Sequence, residues 1–194
     1  MINEIMEGLK NEMAGNEVYV SEGDFQYSFA RKAQELGAEK VVIEYPYVLD
    51  GKRRHVDVSF IHKGKRYYVE LKYKTRMQGG VHRYGEEANL ANQGAQSDAM
   101  YTFYCDIDKM ERIANENAET YCIFLSNDPS FRNRHNGVQN GLVSLEEGSV
   151  TNHGEIHYSN RTVLNIAKSY GIEWKDFKDD GSFKYLVIQP QPRA

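Results

Sequence analysis

The chain has 194 residues, of which 40% are hydrophobic and 27% charged, and its formal net charge is −4. This length fits one domain with a sizeable core, and the acidic balance argues against a protein that coats nucleic acid over its whole surface. The two cysteines, Cys105 and Cys122, lack metal-ligand spacing, which disfavours structural zinc, and no apolar leader or membrane-length run is present. We therefore expect a single domain over residues 1–194 in a reducing compartment, the cytoplasm.

Two helices are predicted at the start of the chain. Residues 2–13 carry a short apolar stripe and end near Gly15. Ser21 is a suitable N-cap for a second helix, with Asp24 three residues on as its capping-box partner, and Gly37 ends this helix. Both helices are expected to pack against a sheet.

Glu22 and Gln26 lie in the first turns of the second helix. Glu22 precedes Phe25 on the apolar side, so it could face the sheet as a third acid, or it could simply favour the positive end of the helix dipole. Gln26 could contact the backbone of a bound strand, or be an ordinary surface residue. The sequence leaves both choices open.

Three strands are predicted next. The first runs from Val41 to Val48, and Pro46 within it indicates an edge position or a bulge. Glu44 on this strand is a further acid candidate or a solvent-facing residue. The other two strands form a hairpin from Arg53 to Lys74, with Lys63-Gly64 as a two-residue turn.

The register of this hairpin brings two acids together. If His62 lies opposite Lys65, Asp57 faces Glu70, and the period-two alternation puts Lys72 on the same side. The charged face would contain Asp57, Ser59, Glu70, Lys72 and Lys74, and the core face Val56, Val58, Phe60, Tyr67, Val69, Leu71 and Tyr73. Opposed carboxylates repel, and Mg²⁺, which is typically held by one or two carboxylates, would compensate them. An ordinary solvated charged face is the alternative.

A local excess of positive charge surrounds these acids. Between Gly51 and Arg76 the cations are Lys52, Arg53, Arg54, Lys63, Lys65, Arg66, Lys72, Lys74 and Arg76, against Asp57 and Glu70. Such a patch around two acids suits a polyanionic substrate, with Arg54 and Lys74 as nucleic-acid contacts, although it could also be a solubilising face.

The segment after the hairpin is predicted as a glycine-rich loop and then a long helix. The loop, residues 76–87, is either mobile near the site or a connector, and Arg83 in it is a candidate phosphate contact. The helix is expected from about Glu87 to Glu116. Gln93 and Gln96 lie near its buried face and need partners, either at the site and the nucleic acid or within the core.

The rest of the chain completes the predicted fold. Tyr121–Ser126 reads as a buried strand parallel to the third strand, because a helix connects them. Residues 132–135 (RNRH) are a further candidate phosphate contact. A helix is predicted from Asn160 to Ser169 and a last strand from Phe183 to Gln189.

Asp57, the hairpin and Glu70-Leu71-Lys72 resemble the signature of the PD-(D/E)xK nuclease superfamily, with Val56 where its name has Pro. SEGDFQ around Glu22 and the residues Gln93, Gln96 and Tyr101 are similar to features of the first helix and the later helix in that superfamily, and residues 92–113 resemble a group of small bacterial proteins of this fold. The resemblance implies that Asp57 and Glu70 bind Mg²⁺, with Mn²⁺ as a substitute, and that Lys72 assists phosphodiester hydrolysis. The Leu71 carbonyl and Glu22, through water, would complete the ligands.

We therefore predict an α/β fold with a restriction-endonuclease-like core: helix, three strands, long helix and strand, in a mixed sheet flanked by helices, plus a C-terminal helix and strand. The predicted function is a divalent-metal-dependent nuclease acting on nucleic acid, specifically DNA. A catalytically inactive nucleic-acid-binding or protein-interaction module of the same fold is the alternative, and an unrelated α/β protein with a charged hairpin is a third. A homodimer would suit cleavage of both strands of a duplex, but nothing in the residues requires one.

Overall fold

The computed structural model describes residues 1–133 and 142–193. Its helices are α1 (Ile2–Glu12), α2 (Glu22–Glu35) and α3 (Gln96–Ile113), with a short 3-10 turn at Pro129–Phe131. The strands are β1 (Glu39–Leu49), β2 (Lys52–His62), β3 (Lys65–Lys74), β4 (Gln78–Arg83), β5 (Glu86–Leu90), β6 (Ala118–Ser126), β7 (Gly154–Ile156), β8 (Leu164–Ile166), β9 (Trp174–Asp176) and β10 (Lys184–Ile188). Within these ranges no helix has the length and apolar character needed to cross a membrane.

The central sheet has six strands in the order β1-β2-β3-β6-β10-β9. β3 and β6 are parallel and joined through α3, as predicted, and the other neighbours are antiparallel. The prediction of an α/β fold with a mixed sheet flanked by helices is therefore confirmed. Pro46 lies in β1, an edge strand, where its missing N–H costs no ladder bond.

Capping fixes the start of α2. The Ser21 hydroxyl accepts a hydrogen bond from the Asp24 N–H (3.0 Å), as predicted. The Asp24 carboxylate accepts from the Val20 N–H (3.1 Å), one residue before the position that a capping box uses. Gly37 follows the helix with a φ of 84°, which favours glycine.

The β2–β3 hairpin has the predicted turn. Lys63 and Gly64 have φ values of 50° and 76°, and positive values at both central residues suit the right-handed twist of the strands. His62 lies opposite Lys65, and the pairing continues to Val58 and Val69. The predicted register is therefore present as far as Val58 and Val69, but the predicted pair of Asp57 with Glu70 is not formed, because the two strands stop pairing at that point.

Both faces of the sheet are covered. α1 and α2 pack on one face, together with Val69, Leu71 and Tyr73 of β3. α3 and the C-terminal segments pack on the other, against residues such as Phe124 of β6. The charged face of the hairpin therefore lies under α3, which excludes the alternative of an ordinary solvated strand face.

The segment between β3 and α3 differs from the prediction. Residues 76–87 are not a loop leading into a helix: β4 and β5 form a hairpin around Tyr84-Gly85, whose φ values of 54° and 81° again suit a two-residue turn. Val81 and Leu90 anchor this hairpin in the α1–α2 core. α3 begins only at Gln96, nine residues after the predicted start at Glu87, because Ala95 has a left-handed backbone (φ 63°) that a helix interior cannot contain.

The predicted helix from Asn160 to Ser169 is wrong. The segment contains β8, which pairs with β7, and its buried Leu164 and Ile166 flank an exposed Asn165, the alternation of a strand. The predicted last strand is confirmed as β10, paired with β6. Of the RNRH segment, Arg134 and His135 lie outside the described residues.

Candidate active site

β2 and β3 separate at Asp57. Their pairing stops at Val58, and the β1–β2 pairing passes from Val58 to Val56 without pairing Asp57, opposite which Glu44 has a left-handed φ of 54°. The resulting twist places Val58 in the core under α1 and α2 but Val56 in the core under α3. The prediction that Val56 shares a face with Val58 is therefore wrong, since regular alternation is lost between them.

Side chains replace the strand partner along the edge of β3 that β2 leaves. Asp57 Oδ2 accepts from the Leu71 N–H (2.7 Å), and Glu22 Oε2 accepts from the Tyr73 N–H (2.9 Å). Two residues further on, Gln93 Oε1 accepts from the Thr75 N–H (3.3 Å). Alternate N–H groups of a strand point to the same side, so three of the predicted site residues line one edge.

Glu22 thus reaches the sheet, as the sequence suggested for a third acid. Gln93 has its partner within the fold, because its own N–H also donates to the Thr75 carbonyl (2.9 Å). Gln96 is likewise satisfied, since its Nε2 donates to Asp128 Oδ2 (3.0 Å). These contacts favour the alternative that both glutamines serve the fold.

Glu70 and Lys72 point toward α3 and meet two charged residues there. Lys109 Nζ lies 2.6 Å from Glu70 Oε1. Asp106 lies between the two lysines, with Oδ1 3.6 Å from Lys109 Nζ and Oδ2 3.6 Å from Lys72 Nζ. The site therefore contains a cluster of three acids and two lysines: Asp57, Glu70, Asp106, Lys72 and Lys109, here called the charge cluster.

Sequence reasoning missed Asp106 and Lys109. They are three residues apart, so they share one side of α3, and each directly precedes a buried residue of the apolar stripe, Ile107 or Met110. The sequence did contain a signal for them: two opposite charges lie beside the apolar stripe of the helix that follows the Glu-x-Lys strand.

Two acids of the charge cluster, Asp57 and Glu70, have raised pKa values. Burial raises the pKa of Asp57 to about 6, and the charge of Asp106 adds to this while the Leu71 N–H opposes it. Burial also raises the pKa of Glu70 well above its usual range, with the charges of Asp106 and Asp57 adding and Lys109 opposing. The three carboxylates are thus close enough to repel one another in a desolvated place.

The two lysines stay charged. Burial alone would lower the pKa of Lys72, but Asp106, Glu22 and the other acids outweigh it, and the pKa is raised. The same balance, dominated by Glu70 and Asp106, raises the pKa of Lys109. Both side chains are ammonium groups at neutral pH.

The donors suit magnesium in number and chemistry. Among residues 1–133 and 142–193 no three His, Cys, Asp or Glu side chains are arranged to hold a metal together. Mg²⁺, however, is commonly held by one or two carboxylates and keeps waters or phosphate oxygens in its other positions. Asp57 and Glu70 meet that requirement, and the Leu71 carbonyl points to the same side as the Leu71 N–H, which faces Asp57.

A groove lies between the β1–β2 arm and α3. Asp106 and Lys109 of the charge cluster line it, whereas Asp57, Glu70 and Lys72 do not. Its cavity volume is about 890 Å³. Its charged lining consists of Arg53, Arg54, Asp106, Asp108, Lys109, Arg112, Arg161 and Arg193. The cations outnumber the acids, so the groove is suited to a polyanion.

The remaining predicted nucleic-acid contacts fall in different places. Arg54 is exposed in the groove, and Tyr101 lines it with its hydroxyl donated to the Thr162 carbonyl (2.8 Å). Lys74 ends β3 and Gln26 is half-buried on α2, both outside the groove lining. Arg83 is held in an ion pair with Asp24 (2.6 Å), so its guanidinium serves the fold.

These observations define an α/β protein with a mixed sheet, two strands of which separate beside a buried cluster of carboxylates and lysines. The chain matches no protein-family model, no curated protein and no solved structure. Its function is therefore inferred from the site itself.

Proposed function

We propose that this protein is a divalent-metal-dependent nuclease that hydrolyses phosphodiester bonds in DNA. The observation that carries the proposal is the gathering of Asp57, Glu70 and Lys72 where β2 and β3 separate, with the Asp57 carboxylate on the Leu71 N–H. Perturbed acids that crowd together beside a basic groove are a feature of functional sites.

Asp57 and Glu70 would hold the cation, the Leu71 carbonyl would be a main-chain ligand, and Glu22 would act through water. Bound there, a divalent cation stabilises the charge that develops on the phosphate and lowers the pKa of an attacking water. The protein holds Asp57 in place through the Leu71 N–H and Glu22 through the Tyr73 N–H. Both contacts fix carboxylates to the same strand that carries Glu70 and Lys72.

Lys72 acts as a cation rather than as a base. Its raised pKa keeps the ammonium protonated, and Asp106 lies 3.6 Å from it on the α3 side. A fixed ammonium can orient the attacking water by donating a hydrogen bond to its oxygen, and it can offset the phosphate charge. The proton of the water must therefore leave by another group or by solvent.

The groove supplies the path of the DNA. Arg53 and Arg54 are exposed on β2 and form no ion pair with any residue that the structure describes. Opposite them lie Lys109 and Arg112 of α3, so a strand in the groove would pass between cations on two walls. Contacts of this kind give affinity for the phosphate backbone without reading sequence.

A binding module without catalysis is the second candidate function. It is favoured by one contact: the Lys109 ammonium lies 2.6 Å from Glu70 Oε1 and already neutralises this carboxylate. In that case the charge cluster would be a structural feature under α3, and the groove alone would be functional.

Cleavage assays distinguish these two functions. Labelled single-stranded, nicked, branched and duplex DNA, and RNA, are incubated with the wild type, Asp57→Asn, Glu70→Gln and Lys72→Met in Mg²⁺ or Mn²⁺. We expect the wild type to cut DNA and each variant to lose roughly 10³-fold or more of the rate, because several kcal/mol of charge stabilisation disappear. Glu39→Gln, an exposed acid on β1, is the matched control and keeps wild-type cleavage.

Binding to the same DNA is measured alongside by fluorescence anisotropy. If no substrate is cut while Arg53→Ala and Arg54→Ala weaken binding, the nuclease proposal is wrong and the binding module is the better account. Cutting confined to RNA would correct the substrate class and leave the metal mechanism in place.

A further inference from the structure

Lys109 occupies the position of a counter-ion inside the charge cluster. Its ammonium lies 2.6 Å from Glu70 Oε1 and 3.6 Å from Asp106 Oδ1. The side chain of Glu70 is 7% exposed and that of Lys109 is 21% exposed. A buried carboxylate needs a partner of opposite charge, and Lys109 provides it from α3.

The charges of the cluster indicate what happens when a cation enters. The acids Asp57, Glu70 and Asp106 with the two ammonium groups carry a formal charge of −3 + 2 = −1. If Lys109 leaves, the charge is −2, which matches a divalent cation. If Lys109 stayed in place, its ammonium and the divalent cation would both contact the Glu70 carboxylate. The two cations would repel each other in a region of low dielectric.

The side chain of Lys109 can turn from Glu70 into the adjacent groove. It lines the groove as well as contacting Glu70, and a lysine carries its charge on a flexible four-carbon stem. Arg53 and Arg54 line the same groove, so a phosphate drawn there would be within the region that a withdrawn Lys109 enters. One ammonium group can therefore serve Glu70 in one state and a phosphate in another.

We propose that Lys109 is a movable counter-ion that links metal binding to substrate binding; this inference rests on the proposed function. Without metal, Lys109 pairs with Glu70 and keeps the buried acid neutralised. With metal, it turns into the groove and contacts a phosphate of the DNA. Each ligand thus removes an obstacle to the other, and thermodynamic linkage requires the effect to be reciprocal.

The first test measures Mn²⁺ binding by calorimetry, which needs no activity. We expect Lys109→Gln to bind Mn²⁺ about tenfold more tightly than the wild type, because the competing cation is gone. Arg112→Gln is the matched control: it removes the same charge three residues along α3, but Arg112 pairs with Asp50 and not with Glu70, so its affinity should stay within about twofold of the wild type. Lys109→Met gives the same readout if the Gln variant does not fold.

The second test measures the linkage itself. Anisotropy of a labelled DNA oligonucleotide is recorded with and without Mn²⁺ for Lys72→Met, which keeps the DNA uncut, and for the double variant Lys72→Met/Lys109→Gln. We expect Mn²⁺ to strengthen DNA binding several-fold more in the single variant than in the double variant. The difference isolates Lys109 from the direct effect of Mn²⁺ on DNA.

The outcomes separate this inference from the proposed function. If the wild type binds Mn²⁺ and Lys109→Gln binds it equally or more weakly, Lys109 is a structural partner of Glu70 and the inference is overturned, while the nuclease proposal stands. An equal effect of Mn²⁺ on DNA binding in the single and double variants also overturns it. If the wild type, like Glu70→Gln, binds no Mn²⁺, both proposals fail together.

Discussion

Two buried glutamates on the α3 side of the sheet differ in how their charge is satisfied. Glu111, within α3, is 1% exposed and accepts hydrogen bonds from donors that surround it. These donors are the N–H groups of Ala167 (2.7 Å) and Lys168 (3.2 Å), the Tyr170 hydroxyl (2.8 Å) and Arg193 Nε (3.3 Å). Glu111 therefore anchors the C-terminal segments to α3.

Glu70, within β3, has the opposite surroundings. Two other acids of the charge cluster act on it, and the Lys109 ammonium is the neighbour that opposes them. Its pKa is raised by burial and by those acids. A buried carboxylate with a full set of donors serves the fold, whereas one crowded by like charge is destabilised unless a cation arrives, and this difference indicates which glutamate is functional.

The same chemical change at both positions gives the largest expected contrast. Glu111→Gln replaces an acceptor oxygen with an NH₂ group facing other donors and removes one of the two carboxylates that pair with Arg193, so we expect a loss of roughly 3–5 kcal/mol of unfolding free energy. Glu70→Gln removes a charge that the site disfavours, and Lys109 keeps Asp106 as a partner at 3.6 Å, so we expect a change of no more than about 1 kcal/mol in either direction without metal. Urea unfolding at pH 7.5 measures both.

Equal losses in the two variants would show that the crowding of acids around Glu70 has no energetic consequence. Glu39→Gln on the exposed edge strand controls for the substitution itself and should change the unfolding free energy by less than about 0.5 kcal/mol.

The placement of Asp57 near Glu70 was predictable because it depends on local signals. A Lys-Gly turn and period-two alternation fix the hairpin register over a few residues. The parallel strand β6 followed from a strand, helix, strand order. These rules involve neighbours in sequence or a single connection, and they specified where β2 and β3 lie.

The contributions of α3 were not predictable in the same way. Asp106 and Lys109 flank its apolar stripe, and only the rotation of the helix against the sheet decides that they meet Lys72 and Glu70. The left-handed backbone of Glu44, next to the point where Val56 changes faces, has no local signal in the sequence, since glutamate seldom adopts this conformation. Burial of Arg83 against Asp24 likewise requires the β4–β5 hairpin, which the sequence analysis treated as a loop.

For Asp57→Asn we expect an increase in the free energy of unfolding, smaller in size than the loss expected for Glu111→Gln. The pKa of Asp57 in the folded protein is about 6, above its ordinary value of 3.8, so the folded state holds the proton more tightly than the unfolded state. Stability therefore falls as pH rises from about 4 to 6 and stays reduced above that range, by an amount on the order of 3 kcal/mol. Asparagine cannot ionise, and its carbonyl can still accept from the Leu71 N–H.

We expect Asp57→Asn to be about 1–3 kcal/mol more stable than the wild type at pH 7.5 without metal, and to lose this advantage as the pH falls toward 4. Urea unfolding across this pH range provides the measurement. A variant that is less stable at pH 7.5 would mean that the Asp57 charge is already compensated within the fold, as the charge of Glu111 is.

The smallest expected change in the free energy of unfolding comes from a substitution next to Glu111, the glutamate that accepts hydrogen bonds from several donors. Tyr170→Phe removes the hydroxyl that donates to Glu111 Oε1 and accepts from the Gln191 N–H (3.1 Å), but Glu111 keeps its main-chain donors. We expect a loss of about 1–2 kcal/mol, the usual cost of one buried hydrogen bond, compared with less than about 0.5 kcal/mol for Tyr27→Phe, because Tyr27 is 56% exposed. A loss as large as that of Glu111→Gln would show that the hydroxyl holds the whole network together. Glu111 would then depend on one partner as Glu70 depends on Lys109, and full satisfaction by several donors could no longer be what separates the two glutamates.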